Sequence, residues 1–133
     1  MYDLNEILKF VTQQTSSTNV TESSDIDNDL LCYGDDFHEL IDKYSKQFNI
    51  DMTSYLWYFH TGSEGFNLLG RSPYAKVKHI PVTPGMLLDF ANKGKWDFQY
   101  PPHTIPKKRY DVLINIIIAL LLIAFLIYWW LVR

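Results

Sequence analysis

Residues 112–132 read VLINIIIALLLIAFLIYWWLV, and no charged side chain interrupts them. At about 1.5 Å of rise per residue, the stretch covers roughly the 30 Å hydrocarbon core of a bilayer. A buried helix of a soluble domain would normally keep a polar face, whereas Ile116, Ile117, Ile118, Leu120, Leu121, Leu122 and Ile123 point all round the axis. The stretch therefore predicts one transmembrane helix. Its only strongly polar member, Asn115, lies near one end; Tyr110 flanks the near side, and Tyr128, Trp129 and Trp130 fall where an aromatic belt meets the far headgroups.

Lys107, Lys108 and Arg109 precede the span and Arg133 alone follows it, so the positive-inside rule predicts that the N-terminal portion is cytoplasmic. Residues 1–30 contain no apolar run resembling a signal peptide, which predicts a tail-anchored chain inserted after synthesis. The single cysteine, Cys32, cannot form an internal disulfide, consistent with a reducing compartment. In that topology the Asn19-Val20-Thr21 glycosylation triplet is a chance match.

The formal charge of -3 hides an asymmetry. Residues 1–70 carry Lys9, Lys43 and Lys46 against twelve acidic groups, whereas residues 71–109 carry eight Lys or Arg against Asp89 and Asp97. Basic residues leading into an anchor are drawn to anionic headgroups at about 1 kcal/mol each, and the acidic part is repelled. A domain that stands up from the membrane is the expectation. Excess acid, together with basic residues close to the bilayer, opposes nucleic-acid binding. Arg71, Lys76 and Lys78 form a basic loop with no assigned role.

Leu4, Ile7, Leu8 and Val11 recur at helical spacing behind Asp3 and Glu6, predicting a first amphipathic helix to about Gln14. Residues 15–29, TSSTNVTESSDIDND, read as a flexible acidic loop. Phe37, Leu40, Ile41, Tyr44 and Phe48 form the next helical stripe, with Asp36 and Glu39 as its capping pair and Asn49 as its end. A short helix is expected over residues 53–59, and a long loop over residues 61–80, which contain Gly62, Gly65, Gly70 and Pro73. Thr83 as N-cap, Pro84 at the first helical position and Gly94 at the end frame a further helix, after which Trp96 folds back on the bundle. Pro101, Pro102 and Pro106 give a stiff spacer to the membrane.

This order of helices resembles the acyl carrier protein fold. Residues 37–50, FHELIDKYSKQFNI, resemble the carrier segment in which Val-Glu-Leu leads to an acidic stretch ending Phe-x-Ile, and residues 82–91, VTPGMLLDFA, resemble the carriers' last helix. More closely, Gly34-Asp35-Asp36, Phe48-Asn49-Ile50-Asp51, Pro81-Val82-Thr83 and Gly94-Lys95-Trp96 are similar to a family of small bacterial proteins, domain-of-unknown-function family fourteen-ninety-three. The resemblance implies a bacterial inner membrane and supplies no activity. The fold class it implies is mostly α: a small acyl-carrier-like helical bundle over residues 1–96, a Pro-rich and basic spacer over residues 97–111, and the single C-terminal transmembrane helix over residues 112–132.

Carriers hold phosphopantetheine on the serine of an Asp-Ser-Leu motif. Aligned through Glu39-Leu40 and Phe48, that position falls on Gly34, which has no hydroxyl to accept a phosphate. Ser45 and Ser54 are displaced, and Tyr33 presents a phenol on a different reach. The resemblance thus implies a carrier-like domain that carries nothing covalently and has no cofactor, while Asp35, Asp36, Glu39 and Asp42 keep the acidic surface that basic partners of carriers read.

Chemistry of other kinds lacks its residues. His38, His60, His79 and His103 are scattered, with no second cysteine or paired carboxylates to complete a metal site. Asp25, Asp27 and Asp29 imitate a calcium loop, but Leu30 replaces its glycine and Asp36 its final glutamate. Cys32 lies among aromatic and acidic neighbours that disfavour a thiolate. Tyr55, Trp57, Tyr58 and Phe59 are read as core. The expectation is a non-enzymatic adaptor for a protein partner with a basic surface. The alternatives are a true acyl carrier or acyl-binding protein for membrane lipid or envelope synthesis, and a regulator of a membrane protein acting through residues 112–132.

Overall fold

The computed structural model of the chain describes residues 1–61, 77–103 and 110–133. Among the described residues it is helical, with four α-helices and no strand: α1 (Leu4–Thr15), α2 (Asp35–Gln47), α3 (Pro84–Lys93) and α4 (Tyr110–Val132), plus a 3₁₀ turn at Trp57–Phe59. Each helix of the bundle is set by local chemistry. The Asp3 carboxylate accepts the Glu6 N–H at 2.9 Å while the Glu6 carboxylate accepts the Asp3 N–H at 3.3 Å, closing a capping box that starts α1. Thr83 Oγ1 accepts the Met86 N–H and Pro84 opens α3, which Gly94 ends in a left-handed conformation at φ 75°. α2 follows the predicted stripe: Phe37, Leu40, Ile41, Tyr44 and Phe48 are all buried. Its cap differs from the expectation. The N-cap is Gly34, which has no side chain, so Asp36 lies within the first turn and makes no capping pair with Glu39.

The core gathers Ile7, Phe10 and Val11 of α1, the α2 stripe, and Leu87, Phe90 and Ala91 of α3. α1 packs on α3. The Tyr44 hydroxyl reaches across from α2 to donate to the Leu87 carbonyl at 2.7 Å, satisfying a buried phenol that would otherwise be costly. The acidic loop over residues 15–29, expected to be flexible, has its own inward anchor: Ile26 is fully buried and its N–H donates to the Val82 carbonyl at 3.0 Å, while Gly85 N–H donates to Glu22 O at 3.0 Å. A lone isoleucine in a polar run is too weak a periodic signal to mark such an anchor.

The helix expected over residues 53–59 shrinks to the single 3₁₀ turn, because its polar groups are claimed from outside. Ser54 Oγ donates to the Trp96 carbonyl, and the Leu56 N–H donates to the Tyr100 hydroxyl at 3.2 Å. The chain after α3 returns over this turn as a strap. Asp51 N–H donates to Gly94 O and Trp96 N–H to Asp51 O, an isolated parallel bridge that fixes the strap's register. Trp96 is buried, its ring 4.6 Å from Phe90 and 4.9 Å from Tyr55, as the expected fold-back requires.

Beneath the strap His60 is wholly buried. Its Nδ1 lies 2.9 Å from the Ile80 carbonyl, which can only accept, so Nδ1 carries the proton and Nε2 offers a lone pair to the Tyr100 hydroxyl at 2.7 Å. That hydroxyl in turn accepts from Trp96 Nε1 at 2.9 Å. Tyr55 stacks on the imidazole with ring centroids 5.7 Å apart. Burial lowers the His60 pKa from 6.5 to about 4, opposed by its bond to Ile80 O.

α4 follows residues 104–109, which include Lys107, Lys108 and Arg109; these and residues 62–76 of the long loop lie outside the described residues. It has 23 residues, about 34 Å of helix, no buried side chain, and is long and apolar enough to cross a membrane. Trp129 and Trp130 are exposed near its end, and the Arg133 guanidinium sits 4.7 Å over the Trp129 ring.

The His60 arrangement predicts a pH response. Between about pH 6.5 and pH 4 the unfolded chain takes up a proton that folded His60 refuses, so stability is whole above this window and falls on acidification through it. Urea denaturation of the full chain in detergent should show that fall. His60→Gln should flatten it relative to the parent while lowering stability at pH 7 by about 1–3 kcal/mol, and equal pH slopes in both chains would contradict the arrangement.

Candidate docking edge at the start of the second helix

The loop leading into α2 combines backbone strain with exposed apolar side chains. Leu31 adopts φ 53° and is 74 % exposed; Tyr33 is 54 % exposed. A left-handed leucine with its side chain in solvent carries strain without gaining core burial. Between them Cys32 is buried, held by its N–H to the Ile26 carbonyl at 3.2 Å. Burial, then the Asp36, Asp27 and Glu39 carboxylates, push its thiol up to about 11, so it stays protonated at neutral pH.

Gly34 follows at φ 61°, ψ -131°, a conformation open to glycine and strained for any residue with a Cβ. Its buried N–H donates to Thr61 Oγ1 at 2.8 Å. The Asp27 carboxylate lies nearby, its pKa raised by burial and opposed by His79 and Thr61. Thr61, whose own N–H donates to the Trp57 carbonyl at 3.2 Å, thereby ties the start of α2 to the 3₁₀ turn.

The four acidic residues singled out by sequence divide into two pairs. Glu39 is bridged to Lys43 at 2.7 Å and Asp42 to Lys46 at 2.8 Å, both on the exposed face. Asp35 and Asp36 are exposed and have no ion pair among the described residues, so the net negative charge of the edge lies in the first turn. There it also favours the positive end of the helix dipole. Beside it a groove of about 380 Å³ opens between the end of α1 and α2, bordered by Gln14, Thr15, Leu31, Asp36 and Glu39. The His38 ring meets Trp57 edge-on at 5.4 Å, bringing the second turn of α2 onto the 3₁₀ turn.

The hydroxyls considered as substitutes for a carrier serine have local work. Ser45 Oγ donates to the Asp42 carbonyl and Ser54 Oγ to the Trp96 carbonyl. The histidines are likewise dispersed: His79 Nε2 lies 3.6 Å from Asp25 Oδ2, and His103 Nε2 accepts the Tyr58 hydroxyl at 2.8 Å. Among the described residues no three His, Cys, Asp or Glu side chains converge in a metal-holding set. Asn115 donates to the Asp111 carbonyl at 2.9 Å, a bond within its own helix. Sequence reasoning missed Leu31 and Thr61 and weighed Tyr33 only as a phenol, since none of the three sits in a periodic run.

Residues 2–99 match the family model described as Protein of unknown function (DUF1493). The chain belongs to the DUF1493 family. The match covers α1, α2, α3 and most of the strap and leaves α4 outside, so the family unit is the bundle. No curated protein and no solved structure matches the chain.

A serine in place of Gly34 should be costly. Gly34→Ser should lower the stability of the full chain by about 1–3 kcal/mol, read from its denaturant midpoint, because a Cβ is forced to positive φ. Thr61→Val, which orphans the Gly34 N–H, should cost a similar amount. A fully stable Gly34→Ser chain would contradict this account of the turn.

Proposed function

We propose that this DUF1493 protein is a non-enzymatic, tail-anchored adaptor of the bacterial inner membrane. Its cytoplasmic, acyl-carrier-like bundle bears no prosthetic group and docks a protein with a basic surface. The observation that carries the reading is the turn at residues 31–36. A glycine conformation replaces the carrier serine, and two exposed apolar side chains, Leu31 and Tyr33, flank two carboxylates, Asp35 and Asp36, with no ion pair among the described residues. Such a surface uses charge for encounter and selection and apolar area for residence. Glu39 and Asp42 contribute less, since their lysine partners screen them. The bilayer is the second partner, met by α4 with Lys107, Lys108 and Arg109 on one flank and Trp129 and Trp130 on the other. Nucleic acid is not a partner in this reading, and covalent carriage is disfavoured by Gly34.

The test compares tagged chain purified from native membranes at natural expression with an Asp35→Lys/Asp36→Lys variant. Loss of a defined protein from the variant, with helical content unchanged by circular dichroism, is the expected result. Identical partners in both would remove this turn as the docking surface. A pantetheine-sized mass adduct on the parent would overturn the non-carrier reading.

A further inference from the structure

We infer that the partner read by this edge is the Lys/Arg-rich juxtamembrane segment of another integral membrane protein, a step that rests on the adaptor reading and names its partner class. His103 is joined to the 3₁₀ turn by the Tyr58 hydroxyl at 2.8 Å, and its ring stands edge-on to Phe59 at 4.8 Å. From His103 to Tyr110, the first residue of α4, is seven residue steps, at most about 25 Å of fully extended chain. The 3₁₀ turn therefore cannot leave the neighbourhood of the bilayer once α4 is inserted.

The docking edge is fastened to that same turn by two routes. Through side chains, the Tyr58 ring meets Trp57 at 5.8 Å and Trp57 meets His38 at 5.4 Å; Asp35 lies three positions before His38, on the same side of α2. By a second route, the Thr61 hydroxyl holds the Gly34 N–H while the ring of its chain neighbour His60 is held by the Tyr100 hydroxyl of the strap. The acidic turn thus belongs to the end of the bundle tethered nearest the membrane.

An anionic lipid surface repels carboxylates, so Asp35 and Asp36 do not suit the bilayer itself. Positive charge concentrated beside a membrane on its cytoplasmic side is supplied by the flanks of integral proteins, where Lys and Arg collect within about 15–20 residues of each span. Their apolar neighbours at the interface match Leu31 and Tyr33. Charge complementarity and the length of the tether select the same occupant.

The experiment uses the full chain in native membranes with the photoreactive residue p-benzoylphenylalanine in place of Tyr33 or, as a control, of Lys9 on the exposed side of α1. Cross-linked peptides are then mapped by mass spectrometry. The expected result is adducts from Tyr33 that fall in basic peptides within about 20 residues of a span of other membrane proteins, reduced roughly tenfold by Asp35→Lys/Asp36→Lys. The milder Asp35→Asn/Asp36→Asn pair should reduce them too, which guards against a folding defect. Charge-dependent adducts on soluble proteins, on peptides far from any span, or on residues 107–109 of a second copy would overturn this inference and leave the docking edge standing. A yield from Tyr33 no greater than from Lys9, or indifferent to the charge changes, would overturn the docking edge itself.

Discussion

A neutral imidazole sealed beneath the strap sets the terms for the rest of the bundle. Ile80 O accepts a hydrogen bond from His60 Nδ1–H, so only a donor can face Nε2, and the Tyr100 hydroxyl fills that role. Having given its proton, the same oxygen accepts from Trp96 and Leu56. Removing any member orphans at least one buried group, and in a low-dielectric site such networks are stabilising only when complete. The strap is accordingly part of the fold rather than a trailing linker. Its bonds explain why the preceding residues make one 3₁₀ turn and not a helix, and they place Thr61, next to His60, under the start of α2.

The regular parts of this arrangement were legible in the sequence because each rests on local chemistry. The Asp3 and Glu6 box, the Thr83-Pro84 start, the Gly94 stop and the apolar stripe of α2 are short-range signals, and all four hold. What stayed hidden depends on contacts between distant residues. Ile26 looks like one apolar residue in a polar run until Val82 meets it, and residues 53–59 look helical until Trp96 and Tyr100 claim Ser54 and Leu56. α1 buries Ile7, Phe10 and Val11, whereas its other apolar residues, Leu4 and Leu8, are only half-buried; α3 decides which side faces in.

The candidate site was legible in the same partial way. The resemblance to carriers drew attention to Gly34 for its missing hydroxyl, and the structure adds that its backbone occupies a region where a serine would be strained. The acidic count at α2 pointed to four equal charges, but helical spacing pairs Glu39 with Lys43 and Asp42 with Lys46 and leaves Asp35 and Asp36 as the effective pair. Exposure of Leu31 and Tyr33 was beyond sequence, since apolar residues beside a helix start ordinarily read as packing.

A surface of two carboxylates and two apolar side chains is small by the standards of stable complexes, which bury about 800 Å² on each partner. Tethering changes what such a surface must achieve. When both partners are confined to one membrane, encounter becomes a two-dimensional search, and a short tether raises effective concentration without any new contact. A weak, charge-selected interface then suffices for occupancy, and it retains the fast exchange that a larger apolar interface would lose. The bonded strap makes this tether short: had Tyr100 and His103 been free, the spacer would begin near Trp96, still held by Asp51, and its reach would grow by seven residues, about 25 Å of extended chain. In the proposed tail-anchored adaptor, the buried histidine and the docking edge would serve one purpose, since the network that neutralises His60 also fastens the acidic turn to the strap that leads to α4.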